Sequence, residues 1–312
     1  MKDVYQISDL ESRDLLDEGA EKPARLAVIG NPVAHSASPA MHQAALDAGD
    51  MDMRYIRLEV EPGQVAEAFS RMAELGFIGC NVTVPHKLEA MECCDEHSED
   101  ALAIGVVNTV LFPSENNSKT IGHNTDGPGL ARAIREEFSV DLADLRVMIV
   151  GVGGGAGRAI ATQCARLGCE QLWLVNRTLE KAETLAEELH QYYDHDEHLQ
   201  GPGDQLCALG SDDDALIEAA GRCALIINAT SLGMRSIDPL PLPRACIQPH
   251  HMVYDAIYKP AETGLLKQAK SVNASAANGL SMLLHQGVFA FEFWFPGQSP
   301  TEAMRRGLSS TL

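Results

Sequence analysis

The stretch VMIVGVGGGAGRAIA, residues 147–161, decides the fold. The apolar residues 147–150 predict a buried strand, and the small residues after the glycines predict a helix that begins at once. Glycines between a strand and a helix allow a tight turn and close approach of the backbone to a pyrophosphate at the helix N-terminus. We therefore predict a dinucleotide-binding turn at Gly151, Gly153, Gly154, Gly155 and Ala156. A register that ends on Gly157 instead of Ala156 stays open.

The strand that follows, QLWLVN (171–176), distinguishes the two nicotinamide dinucleotides. NAD sites place an acidic residue at the end of this strand, where it accepts a hydrogen bond from the ribose 2′-hydroxyl. Here the strand ends in Asn176, Arg177 and Thr178, with Lys181 one helical turn later. Two cations and a hydroxyl suit a 2′-phosphate, so the sequence favours NADP. The alternative is an ordinary helix start with surface cations.

Strands and helices alternate along most of the chain, which indicates an α/β fold with parallel sheets. RLAVIG (25–30) begins one α/β series, and a second series begins after HNTDG (123–127). We predict an N-terminal α/β substrate domain over 25–125 and a Rossmann-type dinucleotide-binding domain over 126–269. The apolar residues of 270–312 predict C-terminal helices that return to the first domain. The polar residues 1–24 are interpreted as an extension outside the catalytic core.

The composition narrows the class of partner and compartment. Lys and Arg number 24 against 44 Asp and Glu, for a net charge of −20, which argues against nucleic acid and anionic membrane as partners. Eight cysteines without a C-x-x-C pair, and no apolar leader, indicate reduced thiols in the cytoplasm. We interpret His190, His195 and His198 as part of a solvated helix end, so we expect no metal. The oligomeric state stays open, with a homodimer as one alternative.

Two polar motifs carry the candidate chemistry. NVTVPHK (81–87) places Lys87 after a strand and a proline turn, and NTDG (124–127) places Asp126 where the two domains meet. Reduction of a ketone by hydride needs a proton for the developing alkoxide, which an ammonium held by a carboxylate supplies. We predict that Lys87 and Asp126 form this pair. The alternative is two unrelated surface groups.

Uncharged hydrogen-bonding residues surround these motifs at strand ends and turns. Hydroxyl and amide groups of this kind suit a substrate with several hydroxyls and one carboxylate. Each also has a local alternative, since Ser38 could cap a helix and Asn108 could serve only a loop. The candidates are Ser36, Ser38, Asn81, Thr83, Asn108 and Asn124.

The chain resembles the shikimate dehydrogenase family in several motifs. GNPVAHSASP, NVTVPHK, VVNT, NTDG, NRTLEK, INATSLGM, YDAIYKP and NGLSMLLHQG follow in the family's order over about residues 25–296. The resemblance implies reversible reduction of 3-dehydroshikimate to shikimate with NADPH, in aromatic amino-acid biosynthesis. It implies that Ser36 and Ser38 hold the substrate carboxylate and that Lys87 is the general acid and base. Ring hydroxyls would be bound by Thr83, Asn108, Asp126 and Gln286, with Tyr258 completing the pocket. Ala256 and Gly279 would lie against the nicotinamide.

Two other functions remain open at this point. A quinate/shikimate dehydrogenase paralogue would act on a modified ring, although the Arg177 and Lys181 pair argues against the NAD preference expected there. A non-catalytic NADP-binding regulator would be expected to lose the proton donor, whereas Lys87 and Asp126 are both present.

Overall fold

The computed structural model describes residues 2–112, 119–193, 205–211 and 215–310. The chain divides into two compact units, which are Met1–Thr125 with Leu284–Leu312, and Asp126–Leu283. Each unit is built on one sheet.

The first unit contains a sheet of seven strands among the described residues, in the order β1-β3-β2-β4-β6-β7-β5. Its strands are β1 Tyr5–Gln6, β2 Ala24–Gly30, β3 Arg54–Glu59, β4 Gly79–Val82, β5 Glu96–His97, β6 Thr109–Leu111 and β7 Ile121–His123. The pairs from β1 to β4 are parallel, and β6 runs antiparallel to both of its neighbours. Its helices are α1 Arg13–Leu16, α2 Ser38–Ala48, α3 Val65–Glu74, α4 Lys87–Cys93, α5 Glu99–Ile104 and, near the C-terminus, α12 Thr301–Ser309.

The second unit is a six-stranded parallel sheet in the order β10-β9-β8-β11-β12-β13. Its strands are β8 Arg146–Val150, β9 Gln171–Asn176, β10 Leu206–Gly210, β11 Leu225–Asn228, β12 Met252–Asp255 and β13 Ser275–Asn278. Its helices are α6 Asp126–Phe138, α7 Gly155–Arg166, α8 Leu179–Leu189, α9 Leu216–Arg222 and α10 Gly264–Ser271. Numbered within the unit, this order is 3-2-1-4-5-6, which is the dinucleotide-binding topology predicted for it.

The side chains of β8 alternate between the two faces of the sheet, which explains why the sequence of this strand is an uninterrupted apolar run. Val147 and Ile149 enter the apolar cluster on one side, whereas Met148 and Val150 enter the cluster on the other. Both faces of a parallel sheet are covered by helices, so the consecutive residues 147–150 of this central strand are all buried.

The long helix α11, Leu280–Trp294, contains the boundary between the units after Leu283. This division lies later in the chain than the boundary predicted at 269/270. The reason is β13, which hydrogen-bonds along β12 and completes the second sheet, although its sequence SAAN has little strand character.

Residues 1–24, interpreted from the sequence as an extension outside the catalytic core, belong to the first unit and pack in its apolar core. β1 pairs with β3 at the sheet edge, and Tyr5, Leu10 and Leu16 are buried in the apolar cluster of the first unit. These three apolar residues are too widely spaced in a polar segment to form a visible periodic pattern.

Candidate active site

The two serines of the first unit lie in the turn that leads into α2. The Ser38 amide donates to Ser36 Oγ at 3.3 Å, and Arg57 donates to the Ser36 carbonyl from Nε at 3.1 Å and from Nη2 at 2.8 Å. The N-cap of α2 is Ala37, so Ser38 is the first residue of the helix. The capping role considered for Ser38 is therefore excluded, and two hydroxyls gather at the N-terminus of an eleven-residue helix, which favours anions.

The ends of β2 and β4 bring Thr83 and Lys87 to the same edge of the sheet. The Thr83 amide donates to the Ile29 carbonyl at 2.9 Å. Gly30 permits this approach, because a Cβ there would lie 2.5 Å from Thr83 Cγ2. Lys87 is half-buried and opens α4, and its carbonyl accepts from the Val107 amide at 3.1 Å.

Asn108 is held in a fixed orientation by its neighbours. Its Oδ1 accepts from the Thr125 amide at 2.8 Å and from Thr109 Oγ1 at 3.0 Å, while its Nδ2 donates to Thr125 Oγ1 at 3.0 Å. The residue is 2% exposed. These contacts determine which end of the amide is the acceptor and which is the donor, as a site that reads hydroxyl groups requires.

Asn81 has a different environment from the one predicted. Its Oδ1 accepts from the Tyr55 hydroxyl at 2.7 Å, and its Nδ2 donates to Thr109 Oγ1 at 3.1 Å and to the Asn108 carbonyl at 3.4 Å. Because both ends of the amide bond to the protein, Asn81 supports Asn108 in this structure. Tyr55 was not predicted, since a tyrosine in an alternating strand gives no signal of such a role.

An aromatic cluster packs beside this network. The His42 ring stacks on Tyr55 with centroids 4.5 Å apart and lies 5.4 Å from Trp294. Burial lowers the pKa of His42 to about 3. Burial raises the pKa of Tyr55, and a hydrogen bond to Ser38 acts against that rise. Both rings are thus neutral near pH 7, and the phenol donates to Asn81.

In the second unit, the backbone of the glycine-rich turn bears on its register. Gly151 has a φ of +96°, and α7 begins at Gly155. A Cβ on Gly157 would lie 2.2 Å from the Gly151 carbonyl oxygen, so the helix packs directly on the turn at this position. This close packing favours the register that ends on Gly157, with Ala156 in the first turn of the helix.

The end of β9 is joined directly to this turn. Asn176 Oδ1 accepts from the Gly153 amide at 3.1 Å, and its Nδ2 donates to the Thr178 carbonyl at 2.9 Å. Lys181 lies above the turn, because a Cβ on Gly153 would be 2.9 Å from Lys181 Cδ. Arg177 and Thr178 are exposed, and Thr178 makes no side-chain cap although it is the N-cap of α8. The cradle of glycines and the cations beside it fit NADP.

Four further predicted residues of this unit lie outside the glycine-rich turn and β9. Ala256 and Tyr258 are half-buried in the loop after β12. A Cβ on Gly279 would lie 2.0 Å from the Ala256 carbonyl oxygen, so only glycine admits this contact. Asp126 is 6% exposed in the first turn of α6.

The predicted residues are distributed over both units. Asp126, Tyr258 and the cofactor residues belong to the second unit, and Gln286, 8% exposed on α11, belongs to the first. The first unit also holds Ser36, Ser38, Asn81, Thr83, Lys87 and Asn108.

Protein-family models match three parts of the chain. The shikimate dehydrogenase substrate binding domain matches residues 28–110, shikimate / quinate 5-dehydrogenase matches 131–235, and the shikimate 5′-dehydrogenase C-terminal domain matches 279–306. A shikimate dehydrogenase (NADP(+)) of Methanopyrus kandleri is 38% identical over 287 residues, covering 91% of this chain and 94% of the relative. The chain belongs to the shikimate dehydrogenase family.

Solved structures of shikimate dehydrogenases share the fold. One in complex with NADP+ has a TM-score of 0.81 and 36% identity, and covers 91% of this chain and 94% of the other. A second, from Thermus thermophilus with NADP(H) and shikimate, has a TM-score of 0.79 and 31% identity, and covers 93% of this chain and 100% of the other. The predicted family and fold class are confirmed.

Two further observations concern membranes and metals. Among residues 2–112, 119–193, 205–211 and 215–310, no helix is long and apolar enough to cross a bilayer. Within the same ranges, no cluster of three or more His, Cys, Asp or Glu residues is arranged to hold a metal ion. Residues 194–204, which include His195 and His198, lie outside the described residues.

Proposed function

We propose that this protein is an NADP-dependent shikimate dehydrogenase that reversibly reduces 3-dehydroshikimate to shikimate in chorismate and aromatic amino-acid biosynthesis. The observation that carries the proposal is the presence on one chain of two groups of residues typical of this family. The first unit holds Lys87 with hydroxyl and amide side chains, and the second holds a glycine cradle beside Arg177 and Lys181. The eight cysteines, all within the described residues, are free thiols, which supports the cytoplasm as the compartment.

We place NADP on the second unit. The first-turn amides of α7, including those of Gly155 and Ala156, would bind the pyrophosphate, with Gly151, Gly153 and Gly154 allowing the backbone to approach it. Arg177, Thr178 and Lys181 would bind the 2′-phosphate, and Asn176 would hold that loop against the glycine turn. Ala256 and Gly279 would lie at the nicotinamide end. When bound, the cofactor supplies or accepts the hydride.

We assign the substrate to residues of the first unit. Ser36 and Ser38 would hold its carboxylate by hydroxyl and amide donors. Thr83, Asn108 and Gln286 would bind ring oxygens, and the family resemblance assigns Asp126 and Tyr258 to the same substrate. Asn81 would support the substrate site without contacting the substrate, because its amide is hydrogen-bonded to Tyr55, Thr109 and Asn108.

Lys87 would move the proton. Its ammonium donates to the carbonyl oxygen as the ketone is reduced, and its amine takes that proton back in the oxidation of shikimate. Without this proton the product oxygen would remain an alkoxide.

Initial rates with four substrate pairs test the proposal. Shikimate and quinate are each offered with NADP and with NAD, and nicotinamide reduction is followed by absorbance. Rapid oxidation of shikimate with NADP is the expected result. A preference for quinate or NAD would indicate the paralogue instead, and no rate with any pair would contradict a dehydrogenase acting on these rings.

A further inference from the structure

The segment 255–263 connects β12 to α10 and contains Ala256 and Tyr258. Its first residue, Asp255, has a carboxylate and is 0% exposed. A fully buried carboxylate is costly unless its oxygens are well hydrogen-bonded, so its surroundings indicate what it does.

Three donors surround Asp255. Its Oδ2 accepts from Thr263 Oγ1 at 2.6 Å, and its Oδ1 accepts from Asn228 Nδ2 at 2.9 Å and from the Ile257 amide at 3.1 Å. These bonds lower the pKa of Asp255, whereas burial has the larger effect and raises it.

The neighbours of Asp255 are themselves oriented as donors. Asn228 Oδ1 accepts from the amide and the hydroxyl of Thr230 at 3.0 and 2.7 Å, so the other end of its side chain must face Asp255. Thr263 is the N-cap of α10, and its Oγ1 accepts from the Leu266 amide at 3.3 Å, which directs its proton to Asp255. The site therefore requires an acceptor at both oxygens.

These bonds connect both ends of the loop to the sheet. Ile257 lies near the start of the loop, Thr263 closes it, and Asn228 ends the neighbouring strand β11. On the other side, the Gly279 amide donates to the Ile257 carbonyl at 3.1 Å. Ala256 is thus held between Asp255 and Gly279.

We propose that Asp255 is a positioning residue for the nicotinamide end of NADP, because its carboxylate holds the 255–263 loop in the conformation that places Ala256 against the ring. The proposal rests on the proposed function, which assigns Ala256 to the cofactor. The adenosine end of NADP is assigned to Arg177 and Lys181, on a different part of the unit, and this separation makes the proposal testable by binding alone.

Asp255→Asn is the informative variant. It keeps the shape of the side chain but turns one acceptor into a donor. Whichever way the amide is placed, its NH2 group meets Thr263 Oγ1 or the pair formed by Asn228 Nδ2 and the Ile257 amide. Facing Thr263, the NH2 group would turn the hydroxyl into an acceptor and leave the hydroxyl proton without its partner. Facing Asn228 Nδ2 and the Ile257 amide, it would meet two donors, so either placement loses charge-assisted hydrogen bonds at a buried site.

Calorimetric titration of the full chain with two ligands tests the proposal. NADPH reports on both ends of the site, and adenosine 2′,5′-bisphosphate reports on the adenosine end alone. We expect Asp255→Asn to weaken NADPH about 10-fold or more and to change the bisphosphate affinity less than about 2-fold. Thr263→Val removes the shortest of the three bonds and should weaken NADPH binding by a smaller factor, again with little change in bisphosphate affinity. It replaces Asp255→Asn in the test if that variant does not fold.

Two controls separate positioning from general stability. Thr263→Ser keeps the hydroxyl and should retain NADPH affinity within about 2-fold. Ile226→Val removes a buried methyl group from β11 without touching the carboxylate, so both affinities should persist.

Equal weakening of the two ligands in Asp255→Asn would show a merely structural role and overturn the proposal. Unchanged NADPH affinity would overturn it as well. A wild-type protein that binds NADPH but oxidises neither shikimate nor quinate would contradict the proposed function while leaving the positioning role measurable. A wild-type protein that does not bind NADPH would contradict both the proposed function and the positioning role of Asp255.

Discussion

The Tyr55 hydroxyl donates to Asn81 Oδ1 at 2.7 Å inside the first unit. Asn81 in turn donates to Thr109 Oγ1 at 3.1 Å, and Thr109 donates to Asn108 Oδ1 at 3.0 Å. A buried phenol is therefore connected through two side chains to the amide that we assign to a substrate hydroxyl. Networks of this kind restrict the orientation of every member.

Tyr55→Phe should raise the KM for shikimate about 3- to 10-fold and change kcat less than about 2-fold, since one neutral hydrogen bond supporting the substrate site is lost. Initial rates over a range of shikimate concentrations measure both constants. Tyr5→Phe is the matched control, because it loses a bond from Arg54 at the sheet edge. A similar KM for Tyr55→Phe and wild type would show that this hydrogen-bond network does not contribute to shikimate binding.

Lys87→Ala should lower kcat by about 10²- to 10⁴-fold with a modest change in KM, as expected for loss of a general acid and base. The control is Lys119→Ala, which removes an exposed lysine paired with Glu96 in the same unit. Steady-state rates of shikimate oxidation compare the two. A Lys87→Ala protein with kcat near that of wild type would assign the proton transfer to another group.

Arg177→Ala should raise the KM for NADP about 10- to 100-fold and that for NAD less than about 3-fold, because only NADP carries the 2′-phosphate that the guanidinium binds. Arg146→Ala, which removes an exposed arginine paired with Glu170, should affect neither. Cofactor-dependent initial rates provide the comparison. Equal losses for NADP and NAD would contradict the 2′-phosphate assignment.

Gly157→Ala should lower the free energy of unfolding by about 1–3 kcal/mol and weaken NADPH binding, since the added Cβ meets backbone of the glycine turn that cannot rotate away. Denaturant titration and NADPH titration measure the two effects. In Gly221→Ala the nearest atom to the new Cβ is Gln248 Nε2 at 3.5 Å, so stability should be retained. A stable Gly157→Ala protein with full NADPH affinity would refute this register.

The pKa of His42 predicts a pH dependence of stability. Burial lowers the pKa to about 3 in the folded protein, below the ordinary value of 6.5. Between these values the unfolded chain binds a proton that the folded chain does not, so His42 destabilises the fold by about 1.4 kcal/mol for each unit of falling pH. The effect is absent above the ordinary value.

His42→Phe should remove this dependence while keeping a ring against Tyr55. Between about pH 7.5 and about pH 5, the wild type should lose about 2 kcal/mol more unfolding free energy than the variant. Urea titrations at both values test the difference. Equal losses in the two proteins would show that His42 takes up its proton in the folded state as well.

Much of the fold could be predicted because its signals are local. β2, β8 and β9 are continuous apolar runs, and the glycines of 151–157 interrupt one such run where a helix begins. β10 and β13 were missed, because neither has a strong pattern and each is held by its parallel neighbour, β9 or β12. β1 was missed for the same reason, since it has no strong pattern and pairs with β3 at the edge of the first sheet.

By itself, the sequence determined the α/β class, the dinucleotide-binding topology, the family and the residue types available for chemistry, since each depends on neighbours along the chain. Only the tertiary structure decided that Asn81 serves Asn108, that Gly157 packs on Gly151, and that Asp255 faces three donors. Those outcomes depend on which groups meet after distant strands pair. A hydrogen bond needs its partner within about 3 Å, and sequence spacing does not encode that distance.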